Sequence, residues 1–176
     1  MRRCPSAFLL LALCFFCSCA GAYKNSYVVG TTVKEFVDET HQVYDTQAHK
    51  QLATCDPDRN PDSRVETQGD MDACMGPAFR LSTQDKVVQA LAVYRAVAIA
   101  FTAVMLGCEP PDDIPTDPEA TPPKVYAATC VKKTFTDKEL RVWRSKLLEA
   151  AIEALRSFPE ADEKVQKLES LLGVLR

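Results

Sequence analysis

The sequence lacks most features of an enzyme or a nucleic-acid-binding protein. It has only two histidines, and it has no glycine-rich phosphate loop, no Gly-x-Ser-x-Gly element and no His-Glu-x-x-His element. It also lacks a cluster of basic residues, and its formal net charge is −3. A mildly acidic chain is a poor partner for nucleic acid or for an anionic membrane surface. We therefore expect a non-enzymatic protein with no cofactor, no nucleic-acid partner and no stable membrane insertion.

Residues 1–22 are predicted to be a signal peptide. A basic start at Arg2 and Arg3 precedes an apolar stretch over residues 7–17, and small residues follow, ending at Ala22. The apolar stretch is shorter than a membrane-spanning helix. Cleavage after Ala22 would remove 22 of 176 residues and leave 19 basic against 24 acidic side chains, a net charge of −5. We expect residues 23–176 to form a single helical domain.

Four cysteines remain after the predicted signal peptide: Cys55, Cys74, Cys108 and Cys130. An even number of cysteines in an oxidising compartment predicts two disulfides, and the sequence leaves the three possible pairings open. The chain has no Asn-x-Ser/Thr site, so N-glycosylation is not expected. These features predict a secreted, extracellular protein.

Apolar residues at three- and four-residue spacing predict helices over most of the chain. We expect a first helix over about residues 32–53, a short helical turn over 71–79 that Pro77 limits, and long helices over 83–106, 136–158 and 160–175. Two segments rich in proline and aspartate, residues 55–70 and 109–124, are predicted to be long loops. The chain is therefore expected to be all-α.

The helix over residues 83–106 is apolar on nearly every side, which is typical of a helix at the centre of a domain or in a bilayer. The membrane interpretation would place Arg95 near the middle of the bilayer, and the acidic Glu109 follows where a stop-transfer segment has basic residues. We therefore expect this helix in the middle of a soluble bundle. Ser82, with Asp85, is expected to cap its start, and Gly107 to end it.

The predicted fold is a disulfide-tied bundle of about four long helices with long Pro/Asp-rich loops. Thr136 and Glu139 form a capping box that predicts the start of the third long helix, over residues 136–158. The face of that helix expected to be buried comprises Leu140, Trp143, Leu147, Leu148, Ala151, Leu155 and Phe158.

One candidate metal site lies on the first predicted helix. Asp38, His41, Asp45 and His49 are spaced by three or four residues, so their side chains form one stripe. Imidazole and carboxylate groups bind Zn²⁺ or Cu²⁺. The alternative is a solvated stripe in which His–Asp pairs support the helix, because one exposed helix does not supply a closed set of ligands.

Two arginines occupy predicted apolar faces and are candidate contacts for a ligand or partner. Arg95 interrupts the apolar helix, and Arg144 falls within the arc of Leu140, Leu148 and Ala151. A buried guanidinium must be paired. Either arginine could therefore anchor an anionic ligand, or it could form a structural ion pair or reach water through its aliphatic stem.

The predicted architecture resembles that of helical cytokines: a secreted chain of this size with four long helices, long crossover loops and two disulfides. The resemblance is architectural and transfers no site residues. We expect a secreted binding protein that acts on an extracellular receptor or other protein through its helix faces, chiefly those of the first and last helices. The alternatives are a carrier of small hydrophobic ligands, with a cavity beside the alanine-rich helix, and a host-directed effector.

Overall fold

The computed structural model describes residues 6–110 and 130–175, with side chains from residue 21 onward. This part of the chain is all-helical and has no β-strand, only an isolated antiparallel bridge between Cys108 and Lys132. It confirms the predicted all-α bundle, with four long helices and one short one. The helices are α1 (Ser6–Cys55), α2 (Gln68–Phe79), α3 (Leu81–Met105), α4 (Asp137–Arg156) and α5 (Asp162–Leu175).

Helix α1 begins far earlier than expected. The sequence predicts a start near Thr32, whereas α1 is continuous from Ser6 to Cys55. No proline lies between the apolar stretch and Thr32, and the glycines at positions 21 and 30 are accommodated within the helix, so the helix runs through both segments. Its inner face follows the expected spacing, with Val33, Val37 and Tyr44 buried.

Helix α2 is longer than the expected turn over residues 71–79. Thr67 caps its start in a reciprocal capping box with Asp70, which the sequence analysis missed. Gly76 interrupts the helix at φ +73°, immediately before Pro77, a backbone conformation that glycine adopts without strain. The sequence predicted that Pro77 limits this helix. In the structure α2 continues past Pro77 to Phe79, with a kink at Gly76.

The expected cap of α3 at Ser82 is wrong. The helix starts at Leu81, and Arg80 occupies the N-cap position without a side-chain hydrogen bond. The side chains of Thr83 and Gln84 instead donate to the carbonyls of Pro77 and Phe79 in the preceding segment. The predicted end is confirmed, because the helix stops at Met105 and Gly107 adopts φ +68°.

The predicted capping box of α4 is confirmed. The Thr136 hydroxyl accepts from the backbone N–H of Glu139, and the Glu139 carboxylate accepts from the backbone N–H of Thr136. Helix α4 ends at Arg156, and Glu160, at φ 69°, leads the chain into α5. The start of the capped helix could thus be predicted to the residue.

The expected position of α3 in the middle of the bundle is not observed, since α4 holds that position. Helix α4 packs along α1, α3 and α5, and its fully buried residues dominate the core. Helix α3 has one exposed face instead. Its many alanines bury little apolar surface, whereas the leucines of α4 bury more, so α4 is the helix that the others surround. The exposed face of α3 includes Leu81, Val88, Arg95 and Thr102, at seven-residue steps.

Helix α3 is also the one helix in the described residues that is long and apolar enough to cross a membrane, by length and composition alone. Half of its most apolar stretch is buried inside the protein, as in a core helix. Its interpretation as a helix of a soluble protein stays a prediction.

The two disulfides pair cysteines that are near in sequence. Cys55 at the end of α1 is bonded to Cys74 in α2, and Cys108 after α3 is bonded to Cys130 before α4. The prediction of two bridges is confirmed, and this is one of the three pairings that the sequence left open. The predicted loop over residues 109–124 lies largely outside the described residues.

Candidate binding cleft

The candidate metal stripe lies on α1 as expected, but the four side chains do not form one cluster. Asp38 pairs with Lys34 one turn earlier, and His41 Nε2 lies 3.3 Å from Asp45 Oδ2. His49 is exposed. Across the described residues, no three His, Cys, Asp or Glu side chains come close enough together to hold a metal ion. The metal hypothesis stays a prediction, which the metal content of the purified protein tests.

His41 has a second neighbour on another element. Its ring meets the ring of Phe158 edge-on at a centroid distance of 6.2 Å, and Phe158 also packs edge-on against Tyr44. Phe158 is 4% exposed and belongs to the main core. His41 therefore lies at the boundary between the core and the polar flank of α1.

The two candidate arginines have opposite environments. Arg95 is exposed, on the outer face of α3. Arg144 is only 5% exposed and lies on α4 among buried leucines. The sequence analysis grouped both as interruptions of an apolar face, whereas in the structure only Arg144 is enclosed.

Arg144 is incompletely paired. Its Nη2 atom donates to Asp137 Oδ1 at 3.5 Å, near the limit for a hydrogen bond, and its Nε atom is buried without a hydrogen-bond partner in the described structure. Buried polar groups are normally hydrogen-bonded, and an unsatisfied charged donor destabilises the fold. The Nε atom is therefore an unfilled donor position.

Arg144 lines a cleft at one end of the bundle, about 430 Å³ in volume and open to solvent on one side. Three helices form its walls: the part of α1 that follows residue 20, the first half of α4 and the end of α5. The residues lining the cleft are Gly21, Ala22, Asn25, Asp137, Arg141, Arg144, Val174 and Leu175.

The charges in the cleft do not balance. Arg141 Nη2 lies 3.6 Å from Asp137 Oδ2, so both arginines share the carboxylate of Asp137. The Asp137 side chain is 59% exposed, and its contacts with both guanidinium groups are long. Among the described lining residues, two positive charges against one negative charge give a net charge of +1, which favours an anion.

The cleft combines residues that the sequence analysis did not connect. Asn25 and Val174 lie far in sequence from Asp137 and Arg141, which are four residues apart on α4, so the cleft depends on how α1, α4 and α5 pack. The signal that the sequence offered was Arg144, a charge on the apolar face of a helix. A charge in such a position indicates a partner elsewhere in the structure.

Comparison with known proteins gives no relative for the chain: no protein-family model, no curated protein and no solved structure matches it.

Proposed function

We propose that the protein is a secreted, non-enzymatic binding protein that engages an extracellular protein through the end of the bundle where α1, α4 and α5 meet. The observation that carries the proposal is the open cleft at this end, which contains an incompletely paired buried arginine. A site that retains an unsatisfied charge costs stability, and such groups are commonly retained for recognition.

The location of the cleft agrees with the surface expected for such a protein. The first and last helices provide three of the six lining residues that lie after Ala22, namely Asn25 from α1 and Val174 and Leu175 from α5. The same helices were expected to present the recognition surface. This arrangement supports a cytokine-like or effector-like mode of action, in which a rigid helical scaffold presents side chains to a partner.

Export is part of the proposal. Intramolecular disulfides are typical of proteins that fold in an oxidising compartment, and both bridges here join cysteines outside the predicted signal peptide. Cleavage after Ala22 would remove Gly21 and Ala22 from the cleft wall. All the charged residues of the cleft, and Asn25, would remain.

The proposal is tested with fluorescently labelled mature protein on a panel of cultured cells. We expect saturable binding to a cell-surface protein, abolished by protease treatment of the cells and weakened by Arg141→Glu, which reverses a charge at the cleft. Arg95→Glu is the matched control, because Arg95 is exposed on a different helix. Loss of binding in Arg95→Glu alone would place the recognition surface on α3 and contradict the proposal.

A second measurement separates a binding protein from a carrier. A carrier of hydrophobic ligands binds an uncharged fluorescent lipid probe at about micromolar concentration, which corresponds to about −8 kcal/mol. We expect no binding of this probe. Binding of the probe without any cell-surface binding would contradict the proposed function.

A further inference from the structure

The strongest unexplained feature of the molecule is the environment of Arg144. Its side chain is 6% exposed, whereas that of Asp137, its acceptor in the described part of the chain, is 59% exposed and lies 3.5 Å away. A buried guanidinium normally forms several short hydrogen bonds, because losing its hydration has to be compensated. Here the Nε donor has no acceptor in the described structure. The protein therefore contains a guanidinium edge that an additional oxygen atom could complete.

Arg144 lines the cleft, which is open on one side, although its Nε atom is itself shielded from solvent. In the part of the chain that the structure describes, Asp137 is held by two long contacts, to Arg141 and Arg144. The Asp137 carboxylate is exposed and its contacts are long, so an incoming anion can exchange with it and take over the pairing of the buried guanidinium. An anion that enters the cleft can then reach the edge formed by Nε and its neighbouring Nη.

We propose that the cleft binds a carboxylate group, which accepts hydrogen bonds from the Nε and Nη atoms of Arg144 while Arg141 contributes a second positive charge. The planar guanidinium edge matches the two oxygens of a carboxylate. A single negative charge balances the net charge of +1 in the cleft, whereas a dianionic phosphate would leave an excess negative charge beside Asp137. The geometry and the charge both favour a monovalent carboxylate.

The other walls of the cleft indicate what is attached to that carboxylate. Val174 and Leu175 supply an apolar wall, and Asn25 supplies an amide that can both donate and accept hydrogen bonds. A peptide ending in an apolar residue offers the complementary groups: a terminal carboxylate, an apolar side chain and a backbone amide. Assigning the carboxylate to a protein partner rests on the proposed function, whereas the carboxylate site itself does not.

The test uses the mature protein and small probes of defined chemistry. N-acetyl-Leu-Leu with a free carboxyl terminus is titrated into ¹⁵N-labelled protein, and its C-terminal amide serves as the matched probe without the charge. We expect the acid to shift the signals of the Asn25 side chain and the Leu175 backbone, and to bind at least about tenfold more tightly than the amide. Equal binding of acid and amide would overturn the proposal.

Variants assign the effect to the buried arginine. Arg144→Met is expected to weaken binding of the acid by at least about tenfold, because it removes a charge-assisted hydrogen bond. Arg141→Gln keeps Arg144 in place and is expected to weaken binding by a smaller factor. Arg95→Met is the control and is expected to bind like the wild type. Undiminished binding in both Arg144→Met and Arg141→Gln would overturn the proposal, and the second variant keeps the test valid if Arg144→Met fails to fold.

Two further probes test the chemistry and the source of the ligand. Inorganic phosphate that binds more tightly than the peptide acid would overturn the assignment to a carboxylate. Hexanoate that binds as tightly as the peptide acid would overturn the assignment to a protein partner and identify a free organic acid. If the protein binds the peptide acid but no cell-surface protein, the proposed function is refuted and the carboxylate site stands. If it binds a cell-surface protein but not the peptide acid, only the carboxylate site is refuted.

Discussion

The Nη2 atom of Arg144 lies 3.5 Å from Oδ1 of Asp137, seven residues earlier on α4, and the two side chains differ greatly in exposure. The aspartate is in water at the start of the helix, and the arginine is in the core. Such a pair contributes little, because the exposed partner stays hydrated and the buried partner keeps an unsatisfied donor.

Arg144→Met is therefore expected to leave the free energy of unfolding unchanged within about 1 kcal/mol, or to increase it, as replacing a buried charge by an apolar side chain often does. Urea denaturation of the mature protein measures the effect. Leu148→Ala is the control, since Leu148 is fully buried on the same helix and its truncation costs about 2–5 kcal/mol. A loss of more than about 3 kcal/mol in Arg144→Met would show that Arg144 is needed for folding.

Gly30 lies where α1 packs closely against Phe101 of α3. A Cβ atom at this position would lie 2.8 Å from Cε1 of Phe101, whose side chain is 5% exposed and has little room to move. We expect Gly30→Ala to destabilise the protein by about 1–2 kcal/mol, because overpacking outweighs the gain in helix propensity.

Gly173→Ala is the matched control for Gly30→Ala. Nothing lies within 4 Å of a Cβ atom at Gly173, which is also helical. We expect this substitution to stabilise the protein by about 0.5–1 kcal/mol. Thermal denaturation of both variants checks the prediction, and equal effects of the same sign would contradict the close packing of α1 against α3.

Glu139 makes the stability of α4 depend on pH. The backbone N–H of Thr136 donates to its carboxylate at 2.8 Å and lowers the pKa of Glu139 below its ordinary value of 4.5, with help from the Thr136 hydroxyl. A carboxyl group whose pKa is lower in the folded state than in the unfolded state stabilises the protein fully at pH values above its unfolded-state pKa. That stabilisation is lost as the pH falls through its folded-state pKa.

Glu139→Gln keeps a side-chain acceptor for the capping box but does not titrate. Between about pH 6 and about pH 3, we expect the wild type to lose more stability than the variant. Urea midpoints measured across this range provide the comparison. Parallel curves would mean that the carboxylate does not cap α4.

The two disulfides are expected to contribute similarly. They close segments with sequence separations of 19 and 22 residues, and the entropic effect of a crosslink depends only weakly on loop length. Replacing either pair by alanines should therefore cost about 2–4 kcal/mol. Urea denaturation of the two double variants measures both losses, and a bridge whose removal costs nothing would contradict this expectation.

Local patterns in the sequence predicted local structure well. The capping box of Thr136 and Glu139, the end of α3 at Gly107 and the inner face of α4 all depend on neighbouring residues, and all are observed. Trp143 departs from that face in being only half-buried, with Lys146 Nζ 4.5 Å from its ring centroid.

The arrangement of the helices was less predictable, because burial depends on which faces meet. The apolar residues on nearly every side of α3 suggested a central helix, yet Val88 and Arg95 lie seven residues apart on its outer face. The unusual position of Arg144 could be recognised from the sequence of α4. That Asn25 lines the same cleft could not be predicted, because it depends on how α1 packs beside α4.

The proposed function depends most on export of the chain as a soluble, disulfide-bonded protein. The most direct test is the N-terminal sequence, fractionation and thiol content of the full-length chain expressed in a secretory host. We predict that the protein is recovered from the medium, begins at Tyr23 and has no free thiols. Recovery in the membrane fraction with Met1 still present, or with reactive thiols at Cys55 and Cys108, would contradict the account.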